Sequence, residues 1–337
     1  MVKAFAYGSG SFEVANLLQF HRADYLAVAY ADEGVELRKA GIVLPIMVMN
    51  PELSDMALLI QHRLEPEIYS LRIWKRFIEA AAAAKPVSPV LVHLKLDTGM
   101  HRLGFEESDL DILLEEISDQ KDVVEIRSVF SHLAASDLNK HDDFTAQQFQ
   151  RFEAMADRIE GAIGYKPLRH ILNSAGIARF PSNQYDMVRL GIGLYGIDPS
   201  GEVQQQLEQI STLRTIISQV KKIKKGETVG YGRQGKAERD LTIATVGIGY
   251  ADGISRRLGN GVGSMLVNNQ LAPTIGSICM DMTMLDITDI AGVKEGDEVI
   301  VFGKKIPIQR LAEWEETIPY EILTNISERV KRIYFEE

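Results

Sequence analysis

From the start of the chain to about residue 200, short apolar runs alternate with amphipathic stretches, the pattern of consecutive βα units and a parallel sheet. Strands are predicted at 25–30, 45–49, 67–69, 90–96, 124–130, 168–172 and 187–190, with a strand stub at Val2. Helices are predicted at 12–20, 32–40, 71–84, 109–118 and 144–161. Counting the stub, eight strands are expected, the number that closes a (β/α)8 TIM-type barrel whose sites lie at the carboxyl ends of the strands. A doubly wound open sheet has the same alternation and remains the competing architecture. Near Asp198-Pro199-Ser200-Gly201 the alternation stops. Strand-like runs without long helices follow at 213–223, 241–250, 264–267, 282–287 and 298–302, with turns at Asn268-Asn269 and 294–297 and a short helix at 321–330, after Pro319. This divides the chain into a barrel over 1–203, its first strand incomplete, and a mainly β domain over 204–337.

Composition narrows the classes. With 337 residues and 45% hydrophobic positions, the chain can build two cores. The formal charge of −10 comes from acidic residues spread along the chain, which argues against nucleic acid or an anionic membrane as partner. One cysteine, Cys279, leaves no intrachain disulfide to form. No uncharged apolar run is long enough to span a bilayer, and the first residues carry no signal-peptide pattern, so a cytoplasmic location is expected. No His/Cys cluster suggests a metal site.

Polar residues gather where predicted strands end. Lys3 stands where the stub meets a glycine-softened turn, and Val92 to Gly104 is a buried-type strand that ends in polar residues and glycines. Lysine and aspartate inside such a strand are costly to bury unless paired, and Asp97 is read as a structural ion pair. His132 ends the strand at 124–130; taken singly it is as well read as a satisfied core histidine. Asn173-Ser174-Ala175 opens a helix, a geometry that serves an ordinary N-cap and a phosphate site equally. The run 188–196 has three glycines in six residues, and the loops after strands seven and eight are where barrels most often bind phosphate.

Val2-Lys3-Ala4-x-Ala6-Tyr7-Gly8-x-Gly10 resembles the cofactor-lysine motif of the alanine racemases, which use pyridoxal 5'-phosphate. Further matches follow in the family's order: the stretch from His93 to Gly104, Ser131-His132, Asn173-Ser174, Arg189 with its glycines, Gly249-Tyr250-Ala251-Asp252-Gly253, Gly276-Ser277-Ile278-Cys279-Met280-Asp281 and Ile318-Pro319-Tyr320. The resemblance implies that Lys3 bonds covalently to the cofactor and acts as one catalytic base, with Tyr250 of a second chain as the other. It implies that Tyr7, Ser174, the backbone of Gly191 and Ile192, and Tyr320 hold the phosphate. Asn173 is carried over as a cofactor contact, and His132 as the residue against the cofactor ring. Arg102 is implied to contact the cofactor's phenolic oxygen and the substrate carboxylate, which Met280 and Asp281 border from the partner chain. Lys95 is the position the family commonly carbamylates, giving an anion that accepts hydrogen bonds from Arg102. Arg189 faces the pyridine nitrogen on the same resemblance; a guanidinium only donates, so that nitrogen must accept and stay unprotonated.

The implied protein is a homodimeric isomerase of L- and D-alanine serving peptidoglycan synthesis. Ser277 departs from the family's arginine and puts local interface contacts in doubt. The family places more chain ahead of its lysine, so a piece of a longer chain is expected, with fusion behind a cell-wall ligase as one source. Three alternatives stay open: another enzyme of the same cofactor fold, such as a serine or broad-spectrum racemase or an amino-acid decarboxylase; a barrel-only cofactor-binding protein; and an inactive truncated racemase.

Overall fold

The computed structural model describes residues 1–335. It forms two compact units, one of Met1–Ala6 with Ser11–Leu207 and one of Tyr7–Gly10 with the chain from Glu208 onward.

In the first unit a parallel sheet runs in sequence order through β1 (Leu26–Val28), β2 (Ile46–Val48), β3 (Glu65–Ile68), β4 (Val90–Lys95), β5 (Val124–Phe130) and β6 (Leu168–His170). Val28, Ile46, Val48, Ile68, Val92, Leu94, Val129 and Phe130 are buried, as expected of parallel strands covered on both faces. Helices lie between the strands. Leu71–Ala84 buries Ile73, Trp74, Phe77 and Ala81 on one stripe, and Ser70 caps it by accepting from Ile73 N. Asp142–Ile163 turns Phe149, Phe152, Met155, Ala156, Ile159 and Ile163 inward and stops at Gly164.

Two of the eight predicted strands are not regular strands, and this corrects the sequence reading. Val2 N donates to Ala27 O (2.9 Å), Arg189 N donates to Leu172 O (3.0 Å), and the Met1 amino group donates to Leu190 O (3.0 Å). The ring therefore has eight positions, closed at the 187–190 run and the stub by single backbone bonds. Neither run makes the successive backbone bonds of a ladder among the described residues. Nor does Lys3 end a strand. It opens a left-handed turn, Lys3–Tyr7, in which Ala4, Phe5, Ala6 and Tyr7 all have φ between 49° and 53°. L-residues pay about 1–2 kcal/mol each for this conformation. Ala6 N donating to Val2 O and Ala4 N donating to the Glu33 carboxylate (2.6 Å) help to offset it.

The second unit is built on an antiparallel sheet. Its strands are β7 (Leu213–Ile223), β10 (Leu241–Val246), β11 (Ser264–Val267), β12 (Gln270–Pro273), β13 (Thr283–Asp286) and β14 (Glu298–Phe302), in the spatial order β12-β11-β14-β7-β10-β13. A separate ribbon pairs β8 (Thr228–Val229) with β9 (Gly235–Lys236). Asn268 and Asn269 take positive φ in the two-residue turn between β11 and β12. A bulge at Thr245/Val246 bends β10 against β7 just before Gly249. The helix predicted at 321–330 is Pro319–Asn325, and a second one, Ile308–Glu315, precedes it. Among the described residues no helix is long and apolar enough to cross a membrane.

Candidate functional site

The first unit gathers Lys3, Glu67, Lys95, Arg102, His132 and Arg189 near the carboxyl ends of its strands. Lys3 Nζ is half-buried and has no hydrogen bond or ion pair among the described residues. Burial, and then the Arg102 charge, lower its amine from the ordinary lysine value, while Glu33 and Glu67 oppose the shift. At neutral pH an unpaired amine with a lowered pKa is a better nucleophile and base than an ordinary lysine. Its backbone is held from the next helix: Glu33 Oε1 accepts from Ala4 N, and Glu33 Oε2 accepts from Ala29 N and Tyr30 N.

Arg102 is exposed at the end of the loop after β4, and Asp97 shapes that loop by accepting from Gly99 N (2.9 Å) and His101 N (3.1 Å). Lys95 at the end of β4 lies 3.8 Å from Glu67 Oε1 and 4.4 Å from the Phe130 ring centroid. Burial pushes the Lys95 amine down to about 8 and raises the Glu67 carboxyl. Arg189 is buried. It donates through NH1 to His170 Nδ1 (2.6 Å) and through NH2 to Ser131 O (2.6 Å), Ile171 O (3.1 Å) and His132 Nδ1 (3.3 Å). Burial lowers it to about 10, so it remains a cation at neutral pH. His132 is pushed well below the ordinary histidine value by burial and then by Arg189, so its ring is neutral with Nδ1 as the acceptor.

Ser174 is buried, and its hydroxyl oxygen accepts from Gly191 N (3.0 Å) and Gly193 N (3.1 Å). Ile192 opens the 3-10 turn Ile192–Tyr195, whose first amides have no intrahelical partner. Asn173 Oδ1 caps the helix Ser174–Arg179 by accepting from Gly176 N (3.0 Å) and also accepts from Ser136 Oγ (2.7 Å). Its oxygen serves the local fold.

The second unit brings together the other predicted residues. The Tyr7 and Tyr320 rings lie 6.0 Å apart, and burial raises the Tyr7 phenol to about 12. Tyr250 is 43% exposed on a turn whose backbone is fixed by Tyr250 N donating to Cys279 O and Ala251 N to Met280 O, both 3.0 Å. A Cβ on Gly249 would sit 2.4 Å from Cys279 O and 2.5 Å from Met280 O, so only glycine allows this approach. Arg329 ties the two motifs together, donating to Asp252 (2.7 Å) and to Asp281 (2.8 Å). Tyr250, Arg257, Glu315, Thr317, Glu321 and Asn325 line a cavity of about 530 Å³ in this unit.

The sequence profile of the alanine racemase N-terminal domain matches residues 1–199, and that of the alanine racemase C-terminal domain matches residues 210–334. The chain belongs to the alanine racemase family. An alanine racemase of Clostridium novyi is 39% identical over 345 residues, covering 99% of this chain and 88% of that protein. The solved alanine racemase of Clostridium difficile 630 superposes with a TM-score of 0.91 at 34% identity, covering 99% of this chain and 87% of that one. The alanine racemase of Bartonella henselae, solved with covalently bound pyridoxal phosphate, has a TM-score of 0.90 at 29% identity, covering 99% and 91%.

Within this alanine racemase fold, Glu33, Glu67, His170 and Arg329 carry contacts that the sequence motifs did not mark. One signal was present. Glu65 and Glu67 stand two apart in a barrel strand, as do His93 and Lys95, and period-two charges on a buried strand require partners.

Proposed function

We propose that this chain is a pyridoxal 5'-phosphate-dependent isomerase that interconverts L- and D-alanine as a cytoplasmic homodimer, supplying D-alanine for peptidoglycan. The unpaired, half-buried Lys3 amine carries the reading, because a covalently held cofactor needs one such lysine. The surroundings fit the group. Gly191 and Gly193 amides both donate to the Ser174 hydroxyl oxygen, which gathers these groups beside the opening of the Ile192–Tyr195 turn. Arg189 keeps Nε–H and one NH1 hydrogen uncommitted among the described residues, donors suited to a ring nitrogen. Ser174, Gly191 and Ile192, with Tyr7 and Tyr320, would hold the phosphate; His132 would lie against the ring; Asn173 would support Ser174.

When bound, the cofactor withdraws electrons from an amino acid joined to it and so acidifies the Cα–H. Lys3 moves the Cα proton on one face and Tyr250 of the second chain moves it on the other. Arg102 orients the substrate carboxylate, with Met280 and Asp281 of the second chain beside it. Arg189 can only donate, so it would leave the ring nitrogen unprotonated and would limit the chemistry to removing and returning one proton. Neutral His132, held at Nδ1 by Arg189, keeps its proton on Nε2 and would support Tyr250 of the second chain. Lys95 is the proposed carbamylation site: near its lowered pKa the amine has the neutral fraction that reacts with carbon dioxide, and Glu67, raised by burial, can hold a proton against the resulting anion.

The test is chiral assay of alanine with and without added cofactor, followed by borohydride treatment and peptide mapping. Interconversion is expected, with the label on the peptide containing Lys3. A label on Lys95 or any other lysine would overturn the assignment.

A further inference from the structure

Arg189 is one end of a longer buried chain. Its NH1 faces His170 Nδ1 (2.6 Å); His170 Nε2 faces Ser128 Oγ (2.9 Å); Ser128 Oγ faces His93 Nδ1 (2.6 Å); and His93 Nε2 faces Glu65 Oε2 (2.8 Å), which also accepts from Tyr25 OH (3.0 Å). Arg127 Nε donates to Tyr25 OH in turn (3.2 Å). The path steps down the strands, from His170 at the end of β6 through the interiors of β5 and β4 to Glu65, the first residue of β3. His170, Ser128 and His93 are fully buried.

The two ends fix its direction. A guanidinium donates and cannot accept, and a carboxylate accepts and cannot donate. His170 must therefore accept at Nδ1 and carry its proton on Nε2. Ser128 accepts that proton's bond and has one hydrogen left, which it gives to His93 Nδ1. His93 then carries its proton on Nε2 and gives it to Glu65. Every group is satisfied in this order and in no other. Burial lowers both imidazoles below the ordinary histidine value, which keeps the rings neutral and the order intact.

We propose that Glu65 is a positioning residue for the reaction, fixing the tautomers of His93 and His170 and through them the seat of the Arg189 guanidinium. Without an acceptor at residue 65, either His93 Nε2–H is left unpaired in the core or the chain reverses. Reversal places a proton on His170 Nδ1, donor against donor at Arg189, and the guanidinium loses that bond. The link from Arg189 to the reaction rests on the function proposed above; the tautomer assignment does not.

The direct experiment is 15N NMR of histidine-labelled holoprotein near neutral pH, with rings assigned by substitution. Both His93 and His170 are expected as neutral Nε2–H tautomers; an Nδ1–H or doubly protonated ring in either place would overturn the proposal. Glu65→Leu is expected to change the tautomer of at least one ring and lower kcat about tenfold with KM for alanine little changed, a loss typical of an outer positioning group. Glu65→Gln should restore both, because one amide carbonyl can accept the two bonds that Glu65 Oε2 now accepts. Glu65→Leu with wild-type tautomers and kcat, or Glu65→Gln as impaired as Glu65→Leu, would overturn it. Should the leucine variant fail to fold, the wild-type tautomers and the glutamine variant decide alone. Wild-type tautomers as stated in a protein that does not racemise alanine would count against the proposed function and leave the wire in place.

Discussion

The two units hold their chemical groups in opposite ways. In the first, Glu67, His93, Lys95, Ser128, His170 and Arg189 are buried and bonded to one another, so each group's protonation and direction depend on its neighbours. In the second, Tyr250, Met280 and Asp281 stand exposed, and close backbone contacts beneath them do the positioning. A buried network couples function to stability; an exposed side chain on a rigid turn separates them. Side-chain removal should therefore damage folding in the first unit and reaction rate alone in the second.

The sharpest contrast comes from two substitutions. Tyr250→Phe is expected to lower racemisation in both directions on the order of 10²–10⁴-fold, the range for a lost acid–base group, and to slow removal of the Cα proton from L-alanine more than from D-alanine. Its unfolding free energy should stay within about 0.5 kcal/mol of the parent, as for an exposed position. Arg189→Leu is expected to do both kinds of harm. It leaves Ser131 O and Ile171 O without this donor and should cost about 1–3 kcal/mol per orphaned group, measured by denaturant unfolding. Equal stability losses in the two variants would erase the distinction.

Backbone positioning in the second unit can be broken without touching its reactive side chain. Gly249→Ala places a methyl group against Cys279 O and Met280 O, which must move, and about 1–3 kcal/mol of destabilisation is expected from such overpacking, with loss of activity although Tyr250 is intact. Full activity would show that the turn tolerates the shift.

The smallest effect concerns pH. Burial, and then Glu321, push the Glu315 carboxyl up to about 7. A carboxyl raised in the folded state binds more protons folded than unfolded between its two pKa values. Its contribution is therefore fully present below the ordinary carboxylate range and is lost as pH rises through about 7. Glu315→Gln should flatten this part of the Tm–pH profile and slightly raise Tm above neutrality. An unchanged slope would assign it to other groups.

The same contrast explains what could be read from the sequence. Strands buried on both faces, such as Ile46–Val48, leave continuous apolar runs, and so were legible. The edge strand Gln270–Pro273 was not, because three of its four residues face solvent. Nothing in Ala4-Phe5-Ala6-Tyr7 signals a left-handed turn, since none of these residues favours positive φ. The conformation is imposed from elsewhere, in part by Glu33, 29 positions from Ala4. The site residues were legible as motifs through their resemblance to a family. Their partners were not: Glu65, His93 and His170 act through pairings between strands that no local pattern records.

The proposed division of labour, with Lys3 from one chain and Tyr250 from another, is tested most directly by mixing Lys3→Ala protein with Tyr250→Phe protein and assaying alanine racemisation. Both defects fall in the same composite site of a heterodimer, so its other site should be intact. Random mixing of two-fold symmetric dimers should then recover about a quarter of the parent activity from two inactive proteins. No recovery, with heterodimer formation shown independently, would contradict a site shared between chains.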